Sequence, residues 1–265
     1  MPENMLSATE YMTRIKAYGR TDEAYLQWHV QRFLRTKALF DQRHPDDRDC
    51  QVLDIGAHWL HQAMLYALDG HRLIAADVGG VLNVQSVRAM AADNNITLMR
   101  MGDLSDAGVF DDIDESSVDF VLFTEILEHL TFNPVGMWQA IQRVLKPTGE
   151  VIITTPNYYF WGSRAWDWSR FARRMGGGIP VADIIKQITH GHHWKEYSAR
   201  EIVSYFDILP LNLYVQHMQY LNFNDEHRKR ARGLASGCGR LLERRIDFFR
   251  DSIYAEIANY KEIAA

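Results

Sequence analysis

Two hydrophobic rhythms divide the chain. Up to residue 49 the rhythm is helical, with Leu26, Val30, Phe33 and Leu34 recurring at three- and four-residue steps. Thr21-Asp22-Glu23 supplies the capping oxygens and early acid of a helix start. Beyond that point short apolar runs take over, at Gln51–Ile55, Arg72–Asp77, Thr97–Met101, Val118–Thr124 and Glu150–Thr155, with longer helical patterns between them. Strand-length runs alternating with helices predict βαβ units and a parallel sheet. The helix before the last run is the clearest. Met137, Ile141, Val144 and Leu145 face one way, and Lys146-Pro147-Thr148-Gly149 supplies its stop signals.

After Thr155 the pattern changes again. Tyr158, Tyr159, Phe160, Trp161, Trp166, Trp168 and Phe171 crowd one segment, and Gly176-Gly177-Gly178 follows it. A helix is expected near Ala199–Phe206 and a strand around Leu211–Tyr220. From Asp225 onward the chain reads as an amphipathic helix, with Leu234, Cys238, Leu241, Phe249, Ile253 and Ile257 on one stripe. Gly233, Gly237 and Gly239 weaken its first part by about 1 kcal/mol each relative to alanine. Arg228, Lys229, Arg230, Arg232, Arg240, Arg244, Arg245 and Arg250 are interleaved with acids there, as on a solvated helix face. The expected organisation is an N-terminal helical cap at 1–49, an α/β domain at 50–222 and a helical extension at 223–265. Within the α/β domain, 156–197 is expected to act as a lid and substrate segment.

Composition narrows this only a little. With 265 residues, 47% hydrophobic and 24% charged, the chain has globular values and length enough for a substantial core. No run approaches the roughly 18 apolar residues of a membrane helix. The first residues, MPENMLSATEYM, lack the basic and apolar parts of a signal peptide. Two cysteines make neither a disulfide framework nor a zinc set, so a cytoplasmic setting is expected. A net charge of −5 weighs against a broad nucleic-acid surface. A homodimer is compatible with the terminal helices.

Candidate chemistry starts at Asp54-Ile55-Gly56, where a buried run stops at a carboxylate and a glycine. In an α/β sheet a nucleoside-bearing ligand lies across such a strand end. Asp77 ends the second run about 20 residues later, the spacing at which a carboxylate accepts from ribose hydroxyls. Asp103, in Met-Gly-Asp-Leu, ends the third and can accept from an adenine amine, with Leu104 on the ring. A dinucleotide site would want G-x-G-x-x-G, but Gly56 is followed by Ala57-His58-Trp59-Leu60-His61, with no second or third glycine.

The fourth run continues into Thr124-Glu125-Ile126-Leu127-Glu128-His129-Leu130. With that segment the chain resembles the class I S-adenosylmethionine-dependent methyltransferases over roughly residues 48–208. Val52–Gly56 resembles the first motif of that family, Asp77 its ribose acid and Gly102-Asp103-Leu104 its adenine segment. Phe123–Leu130 resembles the fourth motif, and Val144–Asn157 the helix, turn and fifth strand. His193-Trp194-Lys195-Glu196-Tyr197-Ser198 is similar to a segment in members that modify small molecules or glycans. The resemblance implies a Rossmann-like, seven-stranded, mostly parallel sheet with helices on both faces, plus N-terminal helices and the C-terminal helical extension. It implies S-adenosyl-L-methionine as cofactor, held by Asp54, Gly56, Ala57, His58, Asp77, Val78, Gly102, Asp103, Leu104, Thr124 and Glu125. Methyl transfer to a small molecule or glycan follows, most often to oxygen, with a non-catalytic binding protein and a metal-dependent RNA 2′-O-methyltransferase as alternatives.

His129 is the expected base, with Glu128 and His192 as catalytic partners, and Tyr158, Tyr159, Trp161, Trp166 and His193 as substrate contacts. Small-RNA 2′-O-methyltransferases and ubiquinone-pathway O-methyltransferases use a similar Glu-x-x-Glu-His in a divalent-metal site. Glu125, Glu128 and His129, with one of His190, His192 or His193, form the corresponding set here. The same pattern occurs in members without metal, and none is expected. One departure stands out: the family usually has glycine at the positions of His58 and Leu60, where positive φ is wanted. The loop is expected to be displaced and still to bind. The alternatives are a methionine end held differently, or lost binding.

Overall fold

The structure is a computed structural model that describes residues 6–106, 108–160, 172, 192–223 and 245–260. Its first helix, α1 (Ala8–Ala17), opens on a reciprocal cap: Ser7 Oγ accepts from the Glu10 amide, and the Glu10 carboxylate accepts from the Ser7 amide. Tyr11 and Ile15 face inward from α1 and are fully buried. Helix α2 (Glu23–Arg43) starts where Asp22 accepts from the Tyr25 amide, as the Thr21-Asp22-Glu23 signal predicts.

Seven strands form one sheet: β1 (Gln51–Ile55), β2 (Arg72–Asp77), β3 (Ile96–Arg100), β4 (Val118–Thr124), β5 (Leu145–Pro156), β6 (Leu213–Leu221) and β7 (Ser252–Asn259), in the order β3-β2-β1-β4-β5-β7-β6. Between them run α3 (Ala63–Leu68), α4 (Gln85–Asp93), α5 (Val135–Val144) and α6 (Ala199–Ile208). The sheet is Rossmann-like and mostly parallel. β1 pairs in parallel with β2 on one side and β4 on the other, and β2 pairs in parallel with β3. Strand order reverses between β1 and β4, which makes the β1 exit the topological switch point where α/β sheets bind ligands.

Two compact units can be separated: 1–122 with 136–151 and 259–265, and 123–135 with 152–258. In the first, β1 is sealed by Val52, Leu53 and Ile55, and α5 buries Trp138, Ile141 and Val144. Each such side chain contributes on the order of 1.5–3 kcal/mol through its burial. Leu145–Gly149, expected to end a helix, is instead the start of β5. A Cβ on Gly149 would stand 3.0 Å from the carbonyl oxygens of Val118 and Asp119. The glycine there serves close backbone approach to β4 rather than a helix stop.

The second unit corrects the reading of the tail. Ser252–Asn259 is not helical but is β7, inside the sheet and buried at every position. Ile253 and Ile257 stand four residues apart, a step that suits a helix face and a strand face equally. Burial of both strand faces, with Ile253, Tyr254 and Ile257 present, decides for the strand. The helix expected at 225–244 lies outside the described residues. Asn157, just past β5, ties this unit together: its Nδ2 donates to the Phe248 and Arg250 carbonyls, and its Oδ1 accepts from the Tyr159 amide.

Candidate active site

The predicted carboxylates of the first unit sit at three successive strand ends and do three different things. Asp54 on β1 is 2% exposed and accepts from the backbone of Ala63, the first residue of α3. Burial, and then the nearby Asp77 charge, pushes its pKa up to about 8, so it keeps its proton at neutral pH. Asp54 Oδ2 has no hydrogen-bond partner among the described residues. Asp77, at the end of β2, is an anchor. Its Oδ2 accepts from the His58 amide at 2.9 Å and its Oδ1 from the Gly79 amide at 2.7 Å. The carboxylate thereby pins the loop after β1 to the loop after β2.

That first loop answers the glycine question. Gly56 has φ 73°, His58 φ 48° and Leu60 φ 63°. The two side chains do not forbid the left-handed backbone; they adopt it, at a cost of about 1–2 kcal/mol each. What holds them is a cap built by α1 and α2. Leu60 is completely buried, the Tyr25 ring stands edge-on to His58 at 4.8 Å, and Arg20 lies 5.9 Å over Trp59. Tyr11 donates its hydroxyl to the His61 carbonyl at 2.5 Å, and Thr21 Oγ1 lies 2.7 Å from His61 Nε2. Burial, reinforced by His58, pushes His61 down to about 3, and burial also lowers His58. Both rings are neutral packing groups near neutral pH, and Ala57 between the strand and His58 is buried as well.

Val78, Gly102 and Asp103 meet at an open depression of about 520 Å³, together with Arg100 and Met101. A Cβ on Gly102 would meet nothing within 4 Å, so this wall is free for a ligand. Asp103 is exposed and three residues past β3. The Ser105 amide and hydroxyl hold its pKa below the usual carboxylate range. Leu104 is half-buried in the turn that follows.

In the second unit the chain leaves β4 with Thr124 half-buried and Glu125 at φ 56°, its amide donating to the Thr154 carbonyl at 2.8 Å. Glu128 is fully buried, and its Oε2 accepts from Thr155 Oγ1 at 3.0 Å. Its carbonyl accepts from the Trp194 amide at 2.8 Å. His129 Nδ1 is 2.8 Å from the His192 carbonyl, so Nδ1 carries the proton, and Nε2 lies 3.8 Å from Glu128 Oε1. His193 packs edge-on against His129, with ring centroids 5.0 Å apart. Ligand atoms of Glu128, His129 and His193 all lie within 4.8 Å of one another. Glu125 is not in that group. The His192 ring is buried against Trp194 instead, and His192 serves the cluster through its carbonyl.

Tyr158, Tyr159 and His193 share a pocket of about 560 Å³ with Trp194, Lys195 and Arg200. Trp161 and Trp166 lie outside the described residues, as does His190.

Residues 53–153 match the family model described as "Methyltransferase domain". They are a class I S-adenosylmethionine-dependent methyltransferase domain. Several solved structures share its fold. In the complex between the Haloferax volcanii Trm112 methyltransferase activator and a methyltransferase, the similar chain is 18% identical, with TM-score 0.61, covering 96% of this chain and 98% of that one. The Burkholderia thailandensis 1,6-didemethyltoxoflavin-N1-methyltransferase, with S-adenosylhomocysteine bound, is 12% identical, with TM-score 0.55 and coverages of 98% and 94%. The Bradyrhizobium japonicum N-methyltransferase NodS, also with S-adenosylhomocysteine, is 12% identical, with TM-score 0.51 and coverages of 95% and 99%. No curated protein matches the sequence.

S-Adenosylmethionine is the cofactor of this methyltransferase domain, and the residues present fit it. A carboxylate offers about four lone-pair sites. Asp77 uses two on backbone amides, which leaves acceptors for a ribose diol. The depression beside Val78 and Gly102 has room for a flat base. Arg100 and Met101, which line it, carried no sequence signal beyond adjacency to Gly102. Tyr11 and Tyr25 carry no local signal, and Thr21 reads only as part of a helix start, because a cap is recognised only once the loop it covers is folded against it. Among the described residues no helix is long and apolar enough to cross a membrane.

Proposed function

We propose that the enzyme transfers the methyl group of S-adenosylmethionine to the oxygen of a small molecule or glycan. Asp77, Gly56, Ala57, His58, Val78, Gly102, Asp103 and Leu104 would hold the cofactor, with Asp54 supporting the turn beneath it and Thr124 and Glu125 bordering its methionine part. The reacting carbon already sits on a sulfonium, so displacement by the acceptor depends on orientation and exclusion of water. A hydroxyl acceptor must also give up a proton. The observation that carries the oxygen reading is the Glu128–His129–His193 cluster, an imidazole and a carboxylate beside an aromatic pocket. Tyr158, Tyr159 and Trp194 suit the flat face of an aromatic ring or sugar. Arg200 and Lys195 on the same wall suit an acceptor with an oxygen-rich edge.

An amine acceptor is the second reading, favoured by the N-methyltransferases among the structures of like fold. A cytoplasmic location is part of this proposal, as is the division into cap, methyltransferase domain and C-terminal extension, with the extension amended to include β7. Calorimetry with S-adenosylmethionine and S-adenosylhomocysteine tests the cofactor half. Binding of both is expected, and binding of neither removes the enzyme reading. Transfer of a labelled methyl group to phenol and sugar acceptors, against matched amines, tests the acceptor half; transfer to the amines alone overturns the oxygen assignment.

A further inference from the structure

The charged residues around the pocket of about 560 Å³ in the second unit are not equally engaged. Lys195, Glu196, Arg200 and Glu201 all line it. Lys195 Nζ donates to Glu201 Oε1 and lies 5.5 Å over the Tyr197 ring. Glu201 Oε2 accepts from the Ser198 amide at 2.9 Å and the Ser198 hydroxyl at 2.8 Å, which closes the cap of α6. Lys195, Ser198 and Glu201 therefore answer one another and build the wall. Glu196 Oε1 lies 3.4 Å from His193 Nδ1. Arg200 is different. It is exposed and has neither an ion pair nor a hydrogen bond among the described residues. Folding does not account for it either: Arg200 is the second residue of α6, and a cation in the first turn opposes the helix dipole. Ser204, one turn further along the same helix face, is also exposed and lines the same pocket.

We propose that Arg200 determines acceptor specificity by binding a carboxylate or phosphate group of the acceptor, with the Ser204 hydroxyl as a second donor. A guanidinium presents its N–H groups as a planar fork that matches two oxygens of such a group, and each charge-assisted bond is roughly twice as strong as a neutral one. Lys195, committed to Glu201, contributes less. Glu196 beside His193 disfavours an anion at the histidine side, which leaves the side of Arg200 for it. Tyr158, 38% exposed, and Trp194, 39% exposed, offer ring surface to a flat ring or sugar face. The volume of about 560 Å³ lies within the roughly 300–1,000 Å³ of small-molecule sites. The acceptor is thereby a small ring compound that carries an oxyanion apart from its reacting group. Its role as acceptor rests on the proposed methyl transfer; anion binding by the pocket does not.

The test uses the full chain, with and without S-adenosylhomocysteine, and calorimetry of three probes: para-hydroxybenzoate, para-hydroxyphenyl phosphate and the neutral para-hydroxybenzamide. At least one anion is expected to bind about tenfold more tightly than the amide, and which one does so separates carboxylate from phosphate. Arg200→Ala is expected to abolish that preference while leaving affinity for the amide nearly unchanged. Arg200→Lys is expected to restore part of it, because the charge returns without the fork. Arg14→Ala, exposed on α1, is the control and is expected to keep the full preference. Equal binding of anions and amide by the wild type overturns the proposal, as does binding of neither anion at millimolar concentration. A preference that survives Arg200→Ala overturns it too. Calorimetry of S-adenosylmethionine on the wild type is a separate measurement: its failure removes the methyltransferase reading and leaves the anion site standing, so the two failures are told apart.

Discussion

The strand ends of the first unit and the histidine cluster of the second achieve precision in opposite ways. Around β1 and β2, the arrangement is held by backbone: positive φ at Gly56, His58 and Leu60, and amides of His58 and Gly79 pinned by Asp77. Around Glu128, the arrangement is held by side chains oriented by distant carbonyls and hydroxyls, with His129 held by residue 192 and Glu128 by residue 155. A backbone-built site tolerates side-chain change as long as the conformation survives, which is how a histidine and a leucine come to stand where glycine is usual. A side-chain-built site has no such tolerance.

The sharpest break of that contrast is His129→Ala. Removing the imidazole is expected to lower kcat by about 10²–10⁴-fold, with S-adenosylmethionine affinity unchanged; equal loss of both would mean the two sites are not separable. Next is Leu60→Gly. It relieves a left-handed φ worth about 1–2 kcal/mol but removes a fully buried side chain worth more than that. Net destabilisation of about 1–3 kcal/mol is expected in denaturant unfolding, and a more stable variant would show that the cap does not hold the loop.

Asp77→Asn comes third. The amide keeps one acceptor oxygen and loses the charge, so cofactor affinity is expected to fall by about 1–3 kcal/mol in calorimetry, with kcat at saturating cofactor nearly intact. The smallest effect is a pH dependence set by Asp54 and His61. Asp54 titrates near 3.8 when unfolded and about 8 when folded, so its contribution to stability falls as pH rises between those values. His61 titrates near 6.5 when unfolded and about 3 when folded, so its contribution rises over that interval. The two slopes oppose each other in mildly acidic solution, leaving Asp54 alone to lower stability between about pH 6.5 and 8. Asp54→Asn should flatten that fall in thermal unfolding followed by circular dichroism; an unchanged slope would mean the carboxyl is ionised in the fold.

Much of the cofactor half was legible because its signals are local. A strand ending in Asp54-Ile55-Gly56, an acid about 20 residues on, and Gly102-Asp103 after a third strand are each read from a short segment of their own. The acceptor half was legible only in its parts. Glu128 and His129 were singled out, but the choice of His193 over His192 as the neighbouring ring depends on one peptide unit's direction, which spacing does not specify. The tail misled for a similar reason: Ile253 and Ile257 fit two periods, and burial between β5 and β6 selected one.

What the sequence determined by itself was the alternation of strand and helix, the carboxylates at their ends and hence the nucleoside-type cofactor, because hydrophobic period and strand-end chemistry are properties of short segments. What only the tertiary structure decided was how the loop accommodates His58 and Leu60, and which histidine joins Glu128 and His129. Both depend on contacts between residues far apart in the chain, Tyr11 with His61 and His129 with His192, and no local pattern encodes the closing of such contacts.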